Sequence, residues 1–184
     1  MLDRILSSYR AADERTRRSG LAWYSTASRQ VGAMARRHGV AHEAAAGVVS
    51  AVSPLCPWSE NLARAERVVR WHAEGRGGPM PSVTFSKNCR KASDILLAGT
   101  GEGFFAPDSK TESFFLNLSG RHDAVTLDTW MLRHARMKQS SLRGPIYSRL
   151  ADEYRQSARV LGVRPSGVQA VIWLMVRKQW RGKK

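Results

Sequence analysis

No stretch constrains this chain more than Phe105 to Arg133, which reads as two short helices joined by a tight, capped connection. A turn, Ala106-Pro107-Asp108-Ser109, leads into apolar positions Phe114, Phe115, Leu116 and Leu118. Asp108 or Ser109 can cap that helix, because a short side-chain oxygen accepts an orphan backbone N–H. Ser119-Gly120 stops it. Val125-Thr126-Leu127 is short and extended, and Asp128 caps a second helix that begins Thr129-Trp130-Met131-Leu132. Lys110 therefore stands at one helix start and Asp128 at the next, eighteen positions on.

The rest of the chain is helical by the same criteria. Residues 1–19 are polar and basic, with Leu2, Ile5, Leu6 and Tyr9 at helical spacing, which predicts one helix docked by a single stripe. Leu21 to His38 predicts a second, with Trp23, Tyr24, Ala27, Val31 and Met34 on its apolar side and Gly39 closing it. Small apolar residues fill His42 to Ser53, the pattern of a buried central helix; His42 at its start reads as capping or exposed. Pro54 and Pro57 forbid continuation. The next helix opens at Ser59-Glu60-Asn61, with Ser59 as the cap of a structural corner, and runs to about His72. Gly75 to Pro81 is a linker, and Val83-Thr84-Phe85 reads as short and extended. Ser86 to Leu97 turns Ala92, Ile95 and Leu96 inward and Lys87, Arg90 and Lys91 outward. The loop Gly99 to Gly103 follows a helix rather than a strand, so it reads as a flexible connection and not a nucleotide fingerprint. Met137 to Pro145 is a basic, Ser-rich loop, Ile146 to Leu161 a helix, and Arg164-Pro165-Ser166 the start of the last helix, which ends in a frayed basic tail from Arg177. The expectation is an all-α chain of roughly eight to ten helices.

The 184 residues suffice for one domain with a sizeable core, or two closely packed lobes. Lys and Arg number 30 against 15 acidic residues, a net charge of +15, which favours a polyanionic partner by attraction and counterion release. Cys56 and Cys89, the only cysteines, cannot supply a four-cysteine iron–sulfur or zinc set and read as reduced thiols. No metal and no cofactor are expected. No apolar run approaches the roughly 18 residues that span a bilayer, and the N-terminus lacks a signal h-region, so no membrane partner is expected.

The block Lys110-Thr111, an apolar helix, then Val125, Asp128-Thr129 and Arg133 resembles the catalytic core of the helix-hairpin-helix (HhH-GPD) DNA glycosylase superfamily. The Lys-to-Asp interval is similar to that of its bifunctional members. Ser53-Pro54, Trp58 and Asn61 upstream, Lys110-Thr111 with Ser113-Phe114, and Val168-Gln169 with Trp173 downstream resemble a phage-type branch linked to hypermodification of thymine-derived bases. The hairpin departs from the family: Pro107-Asp108-Ser109 stands where Leu-Pro-Gly-Val-Gly is usual, and Asp108 would repel a phosphate. The resemblance implies a single two-lobed glycosylase-like domain over 1–184, with lobe one at about 40–136, lobe two from the N- and C-terminal helices, and the active site between them. It implies double-stranded DNA as partner, a monomer, and a cytoplasmic place with the nucleoid or in a phage-infected host.

The same resemblance assigns residues. Asp128 and Lys110 are the catalytic pair. Trp23 and Tyr24 line a base pocket or pack as core, and Leu55, Cys56, Trp58 and Asn61 are pocket or wedge residues at a loop that fills the gap left by a flipped base. Lys87, Asn88, Lys91, Ser109, Thr111 and Arg133 contact DNA. Breaking an N-glycosidic bond builds positive charge on the sugar, which a carboxylate stabilises. An amine at the same carbon can form a Schiff base and open the strand. Three readings follow: a base-excision glycosylase with lyase activity, a transferase of the same fold that joins an amine or amino acid to an activated 5-hydroxymethyl pyrimidine, and a non-catalytic DNA-binding module.

Overall fold

The computed structural model describes residues 1–138 and 144–181. It is all-α: nine helices and no strand are present among the described residues. They are α1 (Leu2–Ala11), α2 (Glu14–Arg37), α3 (His42–Ala51), α4 (Trp58–Ala73), α5 (Ser86–Ala98), α6 (Lys110–Leu118), α7 (Thr129–Ala135), α8 (Gly144–Leu161) and α9 (Pro165–Arg181). The chain divides into two compact units, one of Met1–Thr26 with Pro107–Lys184 and one of Ala27–Ala106.

The first unit is built from both ends of the chain. Its core gathers Ile5 and Tyr9 of α1, Leu127, Met131 and Leu132 at α7, Tyr147, Leu150 and Tyr154 of α8, and Val168, Val171 and Ile172 of α9. Each such side chain fully buried contributes roughly 1.5–3 kcal/mol. The segment 107–136, expected in the lobe that starts near residue 40, belongs to this unit instead. The reason is that Val125, Leu127 and Met131, all at 0 % exposure, share their core with the terminal helices.

The N-terminal helices break at a different place from the one expected. The helix predicted over 1–19 ends at Ala11, and α2 starts at Glu14 and runs through Ser19-Gly20 without interruption. Asp13 causes the restart: its Oδ1 accepts the Thr16 N–H at 2.7 Å and its Oδ2 accepts the Thr16 hydroxyl at 3.0 Å. These bonds, led by the Thr16 amide and joined by Lys178, hold the Asp13 carboxyl at about 2. Gly20 stays helical because α9 needs the space. A Cβ there would lie 2.5 Å from Val171 Cγ2 and 2.6 Å from its Cα. Gly20→Ala is therefore expected to cost about 3 kcal/mol, since neither backbone can give way. A urea midpoint within error of the parent would refute this.

In the second unit α3 packs against α4 and α5. Every residue of α3 from Ala44 to Ala51 is buried, as its small apolar composition predicts. Gly47 permits the closest approach: a Cβ there would sit 2.9 Å from both Gly101 Cα and Ile95 Cγ2. Gly101 is itself buried, whereas Gly99, Glu102 and Gly103 of the same loop are exposed. The next helix begins at Trp58, one residue before Ser59, with Pro57 at the cap position and no side-chain cap bond, so Ser59 caps nothing. Val83-Thr84-Phe85 is irregular, and Phe85 precedes α5 as its cap residue.

Toward the C-terminus α8 starts at Gly144, so Pro145, expected in the loop, lies in its first turn. Residues 139–143 of the expected basic loop lie outside the described residues, as do 182–184 of the tail. The part of that tail from Arg177 to Arg181 continues α9.

Candidate active site

The two helix starts picked out from the sequence form as predicted. Ser109 caps α6: its Oγ accepts the Glu112 N–H at 3.3 Å, while Glu112 Oε2 accepts the Asp108 N–H at 2.9 Å. The first bond satisfies an orphan donor of α6, and the second ties the residue before the cap to the helix's first turn. Asp108 sits in the left-handed region at φ 50, the turn conformation that a glycine would otherwise supply. Thr111 Oγ1 lies 3.3 Å from Ser109 Oγ, so both hydroxyls of the expected DNA contact belong to this local network. Lys110, the first residue of α6, is half-buried, and no described residue pairs with its ammonium.

Asp128 caps α7 and does more than cap. Its Oδ1 accepts the N–H groups of Trp130 at 2.9 Å and Met131 at 3.1 Å. Its Oδ2 accepts the indole N–H of Trp173 at 2.8 Å. The segment before it is braced by Tyr147, whose hydroxyl donates to the Val125 carbonyl at 2.7 Å and accepts the Leu127 N–H at 3.1 Å. Burial pushes the Tyr147 phenol up to about 12, so it remains the neutral strut.

An aromatic cluster adjoins the carboxylate. The Trp173 ring lies 5.9 Å from Trp23, which in turn stands 4.7 Å from Tyr24 and 6.3 Å from Phe114. Trp23 and Trp173 are half-buried, whereas Tyr24 is 5 % exposed. The Tyr24 hydroxyl donates to Gln169 Oε1 at 2.9 Å, and burial raises its phenol far above the ordinary range. The structure thus brings Trp23, Tyr24 and Asp128 into one neighbourhood through Trp173, with Trp23 on its surface and Tyr24 behind it. Arg133 is exposed and stacks over the Trp130 ring at 4.5 Å, and Arg177 stacks over Trp173 at 4.3 Å.

On α7 itself, His134 bonds Ser8 Oγ through Nε2 at 2.8 Å and lies 3.5 Å from the Tyr154 hydroxyl through Nδ1. Burial, with help from the Arg4 guanidinium, lowers its imidazole to about 4. The folded state therefore binds this proton less well than the unfolded chain. Its stability contribution is complete above pH 6.5 and is lost as pH falls toward 4. A loss of roughly 2 kcal/mol by pH 4.5 is expected after allowance for partial exposure. Urea titrations of parent and His134→Gln should converge as pH falls; a constant difference would refute it.

The model of one protein family matches residues 1–183. The chain belongs to DUF7178, a family of unknown function. No curated protein and no solved structure matches it.

The remaining expected site residues of this DUF7178 member lie in the second unit. Leu55 is 91 % exposed and holds a left-handed φ of 59, a conformation that costs a bulky residue about 1 kcal/mol or more. Cys56 is half-buried, with its thiol toward the Val52 and Ser53 carbonyls. Trp58 donates its indole N–H to Gln30 Oε1 at 2.8 Å. Asn61 is 3 % exposed, and its Oδ1 has no hydrogen-bond partner among the described residues. Lys87 is exposed and Asn88 half-buried. Lys91 differs from its expected outward role: its ammonium donates to the Phe104 carbonyl at 2.7 Å and lies 5.2 Å from the Phe105 ring centroid.

Among the described residues no helix is long and apolar enough to cross a membrane, and no group of three His, Cys, Asp or Glu is placed to hold a metal ion. Sequence reasoning missed the roles of Trp173, Gln169, Tyr147 and His134. Trp173 had a signal, its spacing from Val168-Gln169, but nothing local pointed to Asp128 as its partner.

Proposed function

We propose that this chain is a two-lobed helix-hairpin-helix DNA glycosylase that excises a base flipped out of double-stranded DNA. We further propose that Lys110 gives it lyase activity at the sugar. The observation that carries this reading is the Asp128 carboxylate, bound by three donors beside the half-buried rings of Trp23 and Trp173. A carboxylate fixed by donors that need not reorganise suits the stabilisation of charge building on a sugar. Aromatic faces suit stacking of a planar base taken from the duplex. Leu55, apolar and 91 % exposed on strained backbone, fits the wedge that replaces such a base. The charge supports the same partner. Twenty of the 30 Lys and Arg, but only nine of the 15 Asp and Glu, fall in the unit that carries Asp128. The protein is proposed to work as a monomer on cytoplasmic DNA, of the nucleoid or of an infecting phage, without metal or cofactor.

Binding to a random duplex should weaken about a hundredfold between 50 and 200 mM salt if about four phosphates are contacted. A flat response would remove the polyanion partner. Excision itself is tested by incubating the protein with DNA from its own source and analysing released bases and nucleosides by mass spectrometry.

One observation favours a second reading, the transferase acting on an activated 5-hydroxymethyl pyrimidine. At the turn before α6 the Asp108 N–H is taken by Glu112, and the Asp108 carboxylate stands beside it, which weakens a phosphate grip there. That reading predicts a heavier nucleoside in an intact strand instead of a released base.

A further inference from the structure

We infer that Trp173 is a positioning residue, whose indole N–H fixes the Asp128 carboxylate so that one acceptor direction remains for a ligand. A carboxylate offers about four lone-pair positions. The Trp130 and Met131 amides fill those of Oδ1, and the Trp173 indole takes one of Oδ2 at 2.8 Å. The open position is therefore on Oδ2, and its direction is set by the indole.

The indole is itself held. Arg177 lies over its ring at 4.3 Å, and Trp23 meets it at 5.9 Å with a 63° interplanar angle. Trp23 and Tyr24 are packed edge to face at 4.7 Å, and the Tyr24 hydroxyl donates to Gln169. Gln169 and Trp173 are four apart on α9 and so occupy one helix face. One face of α9 thus grips the aromatic cluster through Gln169 and the carboxylate through Trp173. The ring that would border a bound base also orients the group that acts on its sugar.

The kinetic consequence rests on the excision reading, whereas the orientation of Asp128 does not, so the test has two arms. In the first, the full chain is labelled with ¹⁵N and its indole N–H signals are recorded at pH 7 without ligand. The Trp173 signal, assigned by its loss in Trp173→Phe, should be displaced in Asp128→Asn, where the charged acceptor of the indole N–H is gone. A Trp173 signal that stays in place in Asp128→Asn overturns the proposal. In the second arm, base release from DNA of the protein's own source is measured for parent and Trp173→Phe. Loss of one donor to a charged acceptor should lower kcat about tenfold and leave KM unchanged. An unchanged kcat overturns the positioning role. If the parent releases no base, the excision reading fails, and the first arm still decides whether Trp173 holds Asp128.

Discussion

Asp128→Asn is expected to lower base release by about a hundredfold or more, the scale set by removing one preorganised electrostatic group from an active site. The substituted amide keeps the volume, and its oxygen can still accept the Trp130 and Met131 N–H groups that Oδ1 accepts now. Its nitrogen, however, would face the Trp173 indole, which donates to Oδ2 at 2.8 Å. Two donors would then oppose each other in a half-buried site, at a cost of about 1–3 kcal/mol. From the sequence alone, Asn is a neutral replacement, because it caps helices as well as Asp does. The indole changes that expectation to a measurable loss of stability with the fold retained. Mass spectrometry of released bases and a urea titration check the two halves separately. If the variant keeps full activity, Asp128 is a cap and nothing more.

Borohydride is expected to trap the parent protein covalently on a duplex containing an abasic site, and Lys110→Ala is expected to trap none. The Lys110 amine would attack the sugar carbon, lose water to form an imine, and be fixed when hydride reduces the carbon–nitrogen double bond. The motivating observations are its place at the first position of α6 and an ammonium that no described residue engages. Folding of Lys110→Ala should match the parent, since no described bond is removed. Trapping that survives in Lys110→Ala would mean that another amine reacts. A parent that never traps, yet makes a heavier nucleoside, would favour the transferase, in which Lys110 would hold a phosphate as a point charge.

What could be read in advance followed the range of the forces involved. The caps Ser109 and Asp128 were legible because a cap bond spans only two or three residues. The burial of α3 was legible because its composition leaves it no polar face. The uninterrupted α2 was not, because Ser19-Gly20 reads locally as a stop, and only contact with Val171 explains a glycine there. Lys91 reads as an outward charge on a helix, yet a carbonyl thirteen residues later captures it. Trp173 stands out by its spacing from Val168-Gln169, yet its partner is not legible there, because its bond to Asp128 crosses 45 positions. Local pattern placed the chemically capable residues on helix starts; it carried no information on which distant side chains would hold them.

The unit that carries Asp128 takes its residues from both ends of the chain, whereas the other is continuous from Ala27 to Ala106. During synthesis the continuous unit has left the ribosome in full long before Trp173 is made. The carboxylate cannot acquire its indole partner until α9 emerges, so the proposed arrangement forms only after that helix has been made. A chain stopped early, by a nonsense codon or a protease cut before α9, would carry every residue of the Lys110–Asp128 block and still lack the arrangement proposed to act on DNA.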